Sequence, residues 1–373
     1  MEAIEERPGL AYWLALRRAG LGSSNFALLL KHFGRIEDAW EAPTDEVRRA
    51  GLDAQFLRAV QKARAGFDAA RELEAVAKAS ATVCTWQDEG YPAALREIPQ
   101  SPPVLFLRGN RGPAFERAVA IVGTRRVTPY GRQATETFAA ALVAAGVTIV
   151  SGLARGVDAI AHRVAVEADA PTVAVLAGGI DQIYPRENAG LADRIMANGC
   201  LVSEYPPGIP ARPDYFPRRN RILSGLAQAT LVVEAGEGSG ALHTANWAFE
   251  QGRDVFAIPG SIFSRQSQGT NAIIRDNVAR LIVTPEQLLE ELNLSGSGGR
   301  QLTLGEKPAP AAPRASATPE EGRVLHWLRD APTHVDEVAR AADLPVAMVS
   351  ATLQMLELKG LVRQERPMVY ALA

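Results

Sequence analysis

The chain has 373 residues, of which 47% are hydrophobic and 22% charged, and its formal net charge is −2 at neutral pH. This composition is typical of a globular protein with two or three domains. It excludes a protein that is basic throughout, so any nucleic-acid site must be a local patch of cationic side chains. Cys84 and Cys200 are the only cysteines. They provide neither a disulfide framework nor a metal cluster, which favours a reducing cytoplasm. The acidic start lacks the apolar core of a signal peptide, and no uninterrupted apolar run is long enough to span a bilayer.

Residues 1–80 predict an all-α domain of short helices punctuated by glycine, of the SAM or helix-hairpin-helix type. We expect helices over residues 10–18 and 25–33, a helix over 44–50 capped by Thr44, and one long helix from Asp53, its cap, to Lys78. Such hairpins pack as bundles or bind proteins, and some grip DNA phosphate with their glycine turns. The sequence leaves both roles open.

Residues 81–117 are interrupted by prolines and predict an irregular extension, in which 104–107 form a strand at the edge of the following sheet. Beyond residue 118, apolar β-like runs alternate with helical segments. This alternation predicts a Rossmann-like, doubly wound, mostly parallel sheet of about seven strands, ending near residue 293. The expected strands cover 119–122, 147–150, 172–176, 201–203, 230–234, 255–258 and 281–283, and the helices 130–145, 157–167, 188–197, 220–226, 241–251, 273–277 and 284–292.

Residues 294–319 are rich in Ser, Gly, Pro and Ala and predict a flexible linker. Residues 320–373 recover periodicity, with three helices and a hairpin that predict a winged-helix domain. Its third helix would be the DNA reader. That helix, however, offers Ala, Met, Ser and Gln where an Arg would contact bases, so a protein contact or a weak DNA clamp is favoured over sequence-specific duplex binding.

The strands of the central domain end in loops rich in Gly, Ser and Arg, as in Gly123-Thr124-Arg125-Arg126, Ser151-Gly152 and Ser239-Gly240. Ligands collect at the carboxyl ends of parallel strands, and glycine-rich loops there offer backbone N–H groups to phosphate. Bulky residues follow Gly123, which disfavours a dinucleotide fingerprint. The central domain also contains no lysine, which disfavours a nucleotide-hydrolysing P-loop.

Residues 212–226 combine four arginines with an asparagine and two adjacent aromatic residues: Arg212, Arg218, Arg219, Arg221, Asn220, Tyr215 and Phe216. Guanidinium groups bind phosphate bidentately, and aromatic rings stack on unpaired bases. Together with Arg125, Arg126 and Arg186, this pattern indicates a site for a single-stranded polynucleotide.

Groups suited to catalysis are scarce. We expect His162 and His243 to be packed or capping residues, and Asp158, Asp181 and Glu204 to have structural roles, with Asp158 accepting free N–H groups at a helix start. The sequence predicts no catalytic residue, no cofactor and no metal site.

These residues, taken together, resemble the bacterial DNA-processing protein A family (DprA, also called Smf). The resemblance covers about residues 91–292 and rests on motifs that occur in order at 121–126, 151–158, 184–186, 216–222, 239–242, 252–260 and 268–271. The helical front and winged-helix tail are similar to accessory domains of many members.

The resemblance implies a non-enzymatic, cytoplasmic protein that binds and protects incoming single-stranded DNA and loads the RecA recombinase during natural transformation, with a further role in repair left open. It implies a homodimer, with single-strand-binding protein as a further candidate partner. Carried over by motif, Gly123 and Arg125 hold a phosphate, and Ser151-Gly152 and Ser239-Gly240 offer backbone N–H groups. Arg219 and Asn220 shape the pocket and Phe216 meets a base. Arg186 and Arg212 stand where the family often has lysine.

Two alternatives stay open. The first is an enzyme acting on small nucleotides, since a related Rossmann-like group includes such hydrolases. Those use a Pro-Gly-Gly-x-Gly-Thr loop with a nearby Glu, whereas residues 237–242 read Glu-Gly-Ser-Gly-Ala-Leu. The second is a duplex-binding transcription factor that acts through the tail.

Overall fold

The structure is a computed structural model that describes residues 7, 9–109, 115–294, 319–328, 333–342, 344–358, 361–366 and 368–372. The chain divides into two compact units, Met1–Gly299 and Arg300–Ala373. The predicted linker lies almost entirely outside the described residues.

Six helices open the first unit: α1 Leu10–Arg18, α2 Ser23–Phe33, α3 Ile36–Glu41, α4 Thr44–Arg49, α5 Ala54–Ala65 and α6 Ala69–Lys78. Asp53 caps α5 as predicted, because its carboxylate accepts the N–H groups of Gln55 and Phe56. The single long helix to Lys78 is wrong, since α5 ends before Gly66 and Asp68 caps a separate α6. Thr44 is not a cap either, because Pro43 occupies that position.

The front helices share a hydrophobic core with the sheet that follows. Leu14 and Phe26 are buried in the same cluster as Phe106 and Leu201. Residues 1–80 therefore pack as part of the larger unit, in contact with one end of the sheet.

The rest of this unit alternates strands and helices. Its elements are β1 Thr82–Thr85, α7 Ala93–Arg96, β2 Val104–Gly109, β3 Ala118–Val122, α8 Pro129–Ala144, β4 Thr148–Ser151, α9 Val157–Glu167, β5 Thr172–Val175, α10 Ala189–Asn198, β6 Cys200–Ser203, α11 Tyr215–Gly225, β7 Ala229–Val232, α12 Gly240–Glu250, β8 Asp254–Ala257, α13 Gln268–Arg275, β9 Arg280–Leu281 and α14 Pro285–Glu291. Helices α11 and α13 each begin five residues before the predicted start.

The sheet has the order β1-β2-β6-β5-β4-β3-β7-β8-β9. Strands β3 to β9 are parallel, whereas β2 pairs antiparallel with β6 and β1 antiparallel with β2. The doubly wound, mostly parallel sheet is thus confirmed. The predicted strand at residues 104–107 is confirmed as β2, which joins the parallel strands at β6, and β1 adds a further strand outside it.

Strand β3 lies between β4 and β7, so the chain leaves it in one direction and later returns on its other side. This reversal is a topological switch point, where the loops at the carboxyl ends of the two strands diverge and leave a crevice. The loops after β3 and β7 are therefore placed to form a site.

The second unit contains α15 Pro319–His326, β10 Thr333–His334, α16 Val335–Ala342, α17 Val346–Leu358, β11 Val362–Arg366 and β12 Val369–Leu372. The strands pair antiparallel in the order β10-β12-β11, and Val324, Leu353 and Leu356 lie in an apolar core. This arrangement confirms the predicted winged helix. Throughout the described parts of the chain, no helix has the length and apolar character needed to cross a membrane.

Candidate nucleic-acid interface

A cleft of about 960 Å³ opens at the switch point between the loops that follow β3 and β7. Its walls also include the start of α11 and the residues Arg265, Gln266 and Gln268. Nine of the fifteen predicted site residues line it: Gly123, Thr124, Arg125, Arg126, Phe216, Arg219, Asn220, Ser239 and Gly240. The topology therefore brings together loops that are more than 100 residues apart in sequence.

Hydrogen bonds to Glu234 and Gln266 fix the loop after β3, and the arginines of this loop face solvent. The Thr124 N–H donates to the carbonyl of Glu234 at 2.7 Å, and its hydroxyl donates to Gln266 at 3.1 Å. The buried Glu234 carboxylate accepts both the N–H and the hydroxyl of Thr128, at 3.0 and 2.7 Å. Arg125 and Arg126 are exposed, and the described residues supply neither with an ion pair. Both guanidinium groups are available to a ligand.

Two aromatic rings and one of these arginines form a platform at the mouth of the cleft. The Arg125 guanidinium lies 5.4 Å from the centre of the Phe216 ring. Tyr184 meets the same ring edge-on, with centroids 5.5 Å apart, and its side chain is 54% exposed. A cation beside a half-buried ring and an exposed one suits a phosphate and an adjacent base.

The opposite wall is the amino terminus of α12. Ser239 caps this helix, and Gly238, with φ of +70°, allows the tight turn before it. Gly240 opens the helix and lines the cleft. The first N–H groups of a helix have no partner within it and carry partial positive charge, which suits an anion.

Arg219 builds the floor of the cleft. Only 4% of the residue is exposed, and its guanidinium donates to the carbonyl of Gly152 at 2.9 Å and to that of Val175. Burial lowers its pKa to about 10, so it stays protonated at neutral pH. Asn220 donates to the carbonyl of Gly240 at 3.2 Å and so ties α11 to α12.

The prediction that Ser151 and Gly152 offer N–H groups to phosphate is wrong. Both residues are buried behind the cleft. The Ser151 hydroxyl donates to the carbonyl of Ile121 at 2.6 Å, and the Gly152 N–H donates to Asp158 at 3.1 Å. A Cβ at position 152 would overlap the Arg219 guanidinium and displace it from the floor of the cleft.

Asp158 has the structural role expected of it. Its carboxylate accepts the N–H groups of Gly152 and Ala154. Burial raises the pKa of Asp158, an effect that the charge of Arg219 opposes.

Arg221 does not face the cleft, which corrects its predicted DNA contact. Both of its terminal nitrogens donate to the buried Glu204 carboxylate, at 2.7 and 3.0 Å, and Arg17 of α1 donates to the same carboxylate at 3.0 Å. Burial acts to raise the pKa of Glu204, but Arg221 and Arg17 together hold it below its usual range. Glu204 thus has a structural role, as expected.

The remaining predicted arginines, Arg186, Arg212 and Arg218, are exposed but do not line the cleft. Arg212 pairs with Asp214 at 3.2 Å and lies over the ring of Tyr215. Arg218 points to the other side of α11.

Several residues that line the cleft were not predicted as site residues: Tyr184, His243, Arg265, Gln266 and Gln268. His243 is exposed in the cleft and Ser239 caps its helix, so the expectation that His243 is packed or capping is wrong. His162 is packed as predicted, and burial lowers its pKa to about 3. Tyr184 and Gln268 lie within the family motifs at 184–186 and 268–271, and the other three are near motifs, but only the strand order shows which loops converge.

The charge of the cleft is positive. Arg125, Arg126, Arg219 and Arg265 line it, against the acids Asp158 and Glu237. The described lining can therefore attract a polyanion while presenting aromatic surface.

Comparison with known proteins identifies relatives across the whole chain. The family model "DNA recombination-mediator protein A" matches residues 82–293, and the "DprA winged helix domain" model matches residues 307–366. The Smf protein of Synechocystis is 35% identical, over 96% of this chain and 98% of its own length.

Two solved structures are also similar. DNA processing protein A from Streptococcus pneumoniae has a TM-score of 0.68 and 32% identity, over 75% of this chain and 97% of that one. The Helicobacter pylori protein, solved for its single-stranded DNA binding mode, has a TM-score of 0.52 and 30% identity, over 57% of this chain and 96% of that one.

Proposed function

The chain belongs to the DNA recombination-mediator protein A (DprA/Smf) family, and from that premise we propose that it is a single-stranded DNA-binding mediator of recombination. In this proposal it protects incoming single strands in the cytoplasm and loads RecA recombinase onto them during natural transformation. It acts as a homodimer, and single-strand-binding protein is a further partner.

The observation that carries the proposal is the pairing of Arg125 with Phe216 at the switch-point cleft. A guanidinium without an acidic partner among the described residues can hold a phosphate, while the half-buried ring of Phe216 and the exposed ring of Tyr184 can stack on an unpaired base. In a duplex the bases are already stacked, so the platform favours single strands.

We propose a binding role rather than an enzymatic one. The cleft's buried carboxylate, Asp158, is already engaged by two backbone N–H groups. Release of base or phosphate from a panel of nucleoside monophosphates would instead support the hydrolase alternative.

The experiment is RecA assembly on single strands coated with single-strand-binding protein, together with protection of those strands from nuclease. Wild-type protein should accelerate assembly and protect the strand, and Arg125→Ala should do neither. Arg163→Ala, which removes an exposed arginine of α9 outside the cleft, is the matched control and should behave as wild type. Wild-type protein that neither protects the strand nor changes RecA assembly would contradict the proposal.

A further inference from the structure

A second cavity lies across α11 from the cleft. Phe216, Asn220 and Leu223 of α11 line the cleft, whereas Tyr215, Arg218 and Arg221 line this second cavity. Residues three or four apart share a face of a helix, so α11 divides the two sites with opposite faces. We call the second cavity, about 370 Å³ in volume and walled on its far side by Arg17, Arg18 and Ser23, the notch.

The notch carries surplus positive charge. Four arginines line it, against one acid, Glu204. Arg17 and Arg221 both engage Glu204, and Arg18 reaches outward to Glu72 at 2.8 Å. Arg218 is exposed, and no acid among the described residues pairs with it. Its charge is therefore available to an anion.

Backbone donors adjoin these arginines. The turn between α1 and α2 reads Gly20-Leu21-Gly22, with Gly20 at φ of +92° and Leu21 fully buried. Gly22 occupies the cap position of α2 and has no side chain to cover the first N–H groups. Those groups add to the attraction that Arg218 provides.

The notch is not built to receive a base. The rings of Tyr205 and Tyr215 stack with centroids 4.1 Å apart. Arg17 lies over Tyr205 at 5.4 Å and Arg212 over Tyr215 at 5.2 Å. Each ring is thus covered by the other ring and by an arginine, so neither ring is free to stack on a base. The arginines and N–H groups of the notch can still bind phosphate.

We propose that the notch binds the sugar-phosphate backbone of the single strand whose bases occupy the cleft, so that the strand crosses α11 and reaches the front helices. This inference rests on the proposed function and extends its site. A helix is about 10–12 Å wide, a span that roughly three nucleotide steps of about 3.4 Å can bridge. The contact is independent of base sequence.

The test compares two fluorescent oligothymidines, one of about six nucleotides that fills the cleft and one of about twenty that can also reach the notch. Arg218→Gln and the double variant Arg18→Gln/Arg218→Gln should bind the long strand roughly three- to tenfold more weakly. The slope of log affinity against log salt should fall by about 0.7 for each phosphate that the variant no longer neutralises. Binding of the short strand should stay unchanged.

Arg218→Lys keeps the charge and should keep the salt slope, and Arg58→Gln, which removes an exposed arginine of α5, should match wild type. A dye on Ser23→Cys gives a second readout, since Cys84 and Cys200 are buried and leave the new thiol selectively reactive. Its fluorescence should change with the long strand alone.

Unchanged affinity of the double variant for the long strand, or an equal reduction for both lengths, would overturn the inference while leaving the cleft intact. Wild-type protein that binds neither strand would contradict the proposed function itself. The two failures are therefore distinguishable.

Discussion

The cleft and the winged helix are both regions in which a nucleic-acid site could be sought, and they differ in chemistry. The cleft combines four arginines with the exposed ring of Tyr184 and the half-buried ring of Phe216. The helix α17, in the position of a DNA reader, instead exposes Val346, Met348 and Met355, at 44%, 46% and 51%. Residues 319–373 contain eight acidic and six basic residues. A winged-helix fold is thus not in itself evidence of DNA binding, because binding depends on the side chains that the fold presents.

The two regions also differ in what holds them together. Behind the cleft lie buried ions, with Arg219 beside Asp158 and Arg221 paired with Glu204. The described core of the winged helix is apolar, with Val338, Leu353 and Leu356 at its centre. The binding surface of the cleft therefore depends on buried charges that are absent from the described residues of the winged helix.

The largest expected effect follows removal of a buried charge. Arg219→Ala should destabilise the larger unit by about 3–5 kcal/mol, because it removes the positive charge near the buried Asp158 and leaves two carbonyl groups without their donor. Denaturant unfolding measures this cost. The neighbouring exposed Arg218→Ala is the control, and its stability should stay within about 0.5 kcal/mol of wild type. Equal stability of the two variants would refute the structural role of Arg219.

The next largest effect should be a loss of stability of the larger unit in acid. The pKa of His162 is about 3 in the folded chain, below its ordinary value of 6.5, so the unfolded chain binds the proton more readily. The contribution of neutral His162 to the free energy of unfolding is therefore fully present above pH 6.5 and is lost as the pH drops toward 3. Linkage sets the size of this loss at a few kcal/mol at most.

Calorimetry at several pH values follows this decline. The transition of the larger unit should move to lower temperature below pH 6.5, and it should move less in His162→Gln. A transition with the same pH dependence in both proteins would exclude His162 as the cause.

Base stacking should give a smaller effect, confined to binding. Phe216→Ala should weaken single-strand binding by about 1–3 kcal/mol, the range found for one stacked base. Phe216→Tyr retains the ring and should bind nearly as well as wild type. If alanine and tyrosine bind equally, Phe216 does not stack on a base.

Removal of the winged helix should have the smallest effect. A chain ending before residue 294 should keep its single-strand affinity within about 0.5 kcal/mol, because the cleft is built entirely from the larger unit. Titration of both chains with the same oligonucleotide measures the difference. Loss of all DNA binding would move the function to the tail and support the transcription-factor alternative.

Much of the site could be predicted because strand ends are local features of the sequence. The glycine-rich loops at 123–126 and 236–240 follow apolar strands, and parallel strands bring their carboxyl ends to one edge. Of the two outer antiparallel strands, β2 was predicted and β1 was not, since β1 is a four-residue segment next to a proline-rich stretch.

The sequence could not show which arginines meet the ligand. Arg218, Arg219 and Arg221 carry equal charge and are near neighbours, yet one is exposed and two are buried. Whether each arginine is buried or exposed depends on the face of α11 that it occupies and on partners that are distant in sequence. Glu204 lies 17 residues from Arg221, and Arg17 lies 187 residues from Glu204. Such long-range ion pairs leave no pattern in the local sequence.

The most direct test of the central claim is the affinity of wild type and Arg125→Ala for a fluorescent single-stranded oligonucleotide and for its duplex, at two salt concentrations. We predict a strong preference for the single strand, a fall in log affinity of about 0.7 per neutralised phosphate per log unit of salt, and loss of that preference in Arg125→Ala. Equal affinity for the duplex, unaffected by the substitution, would contradict the assignment of single-strand binding to the cleft.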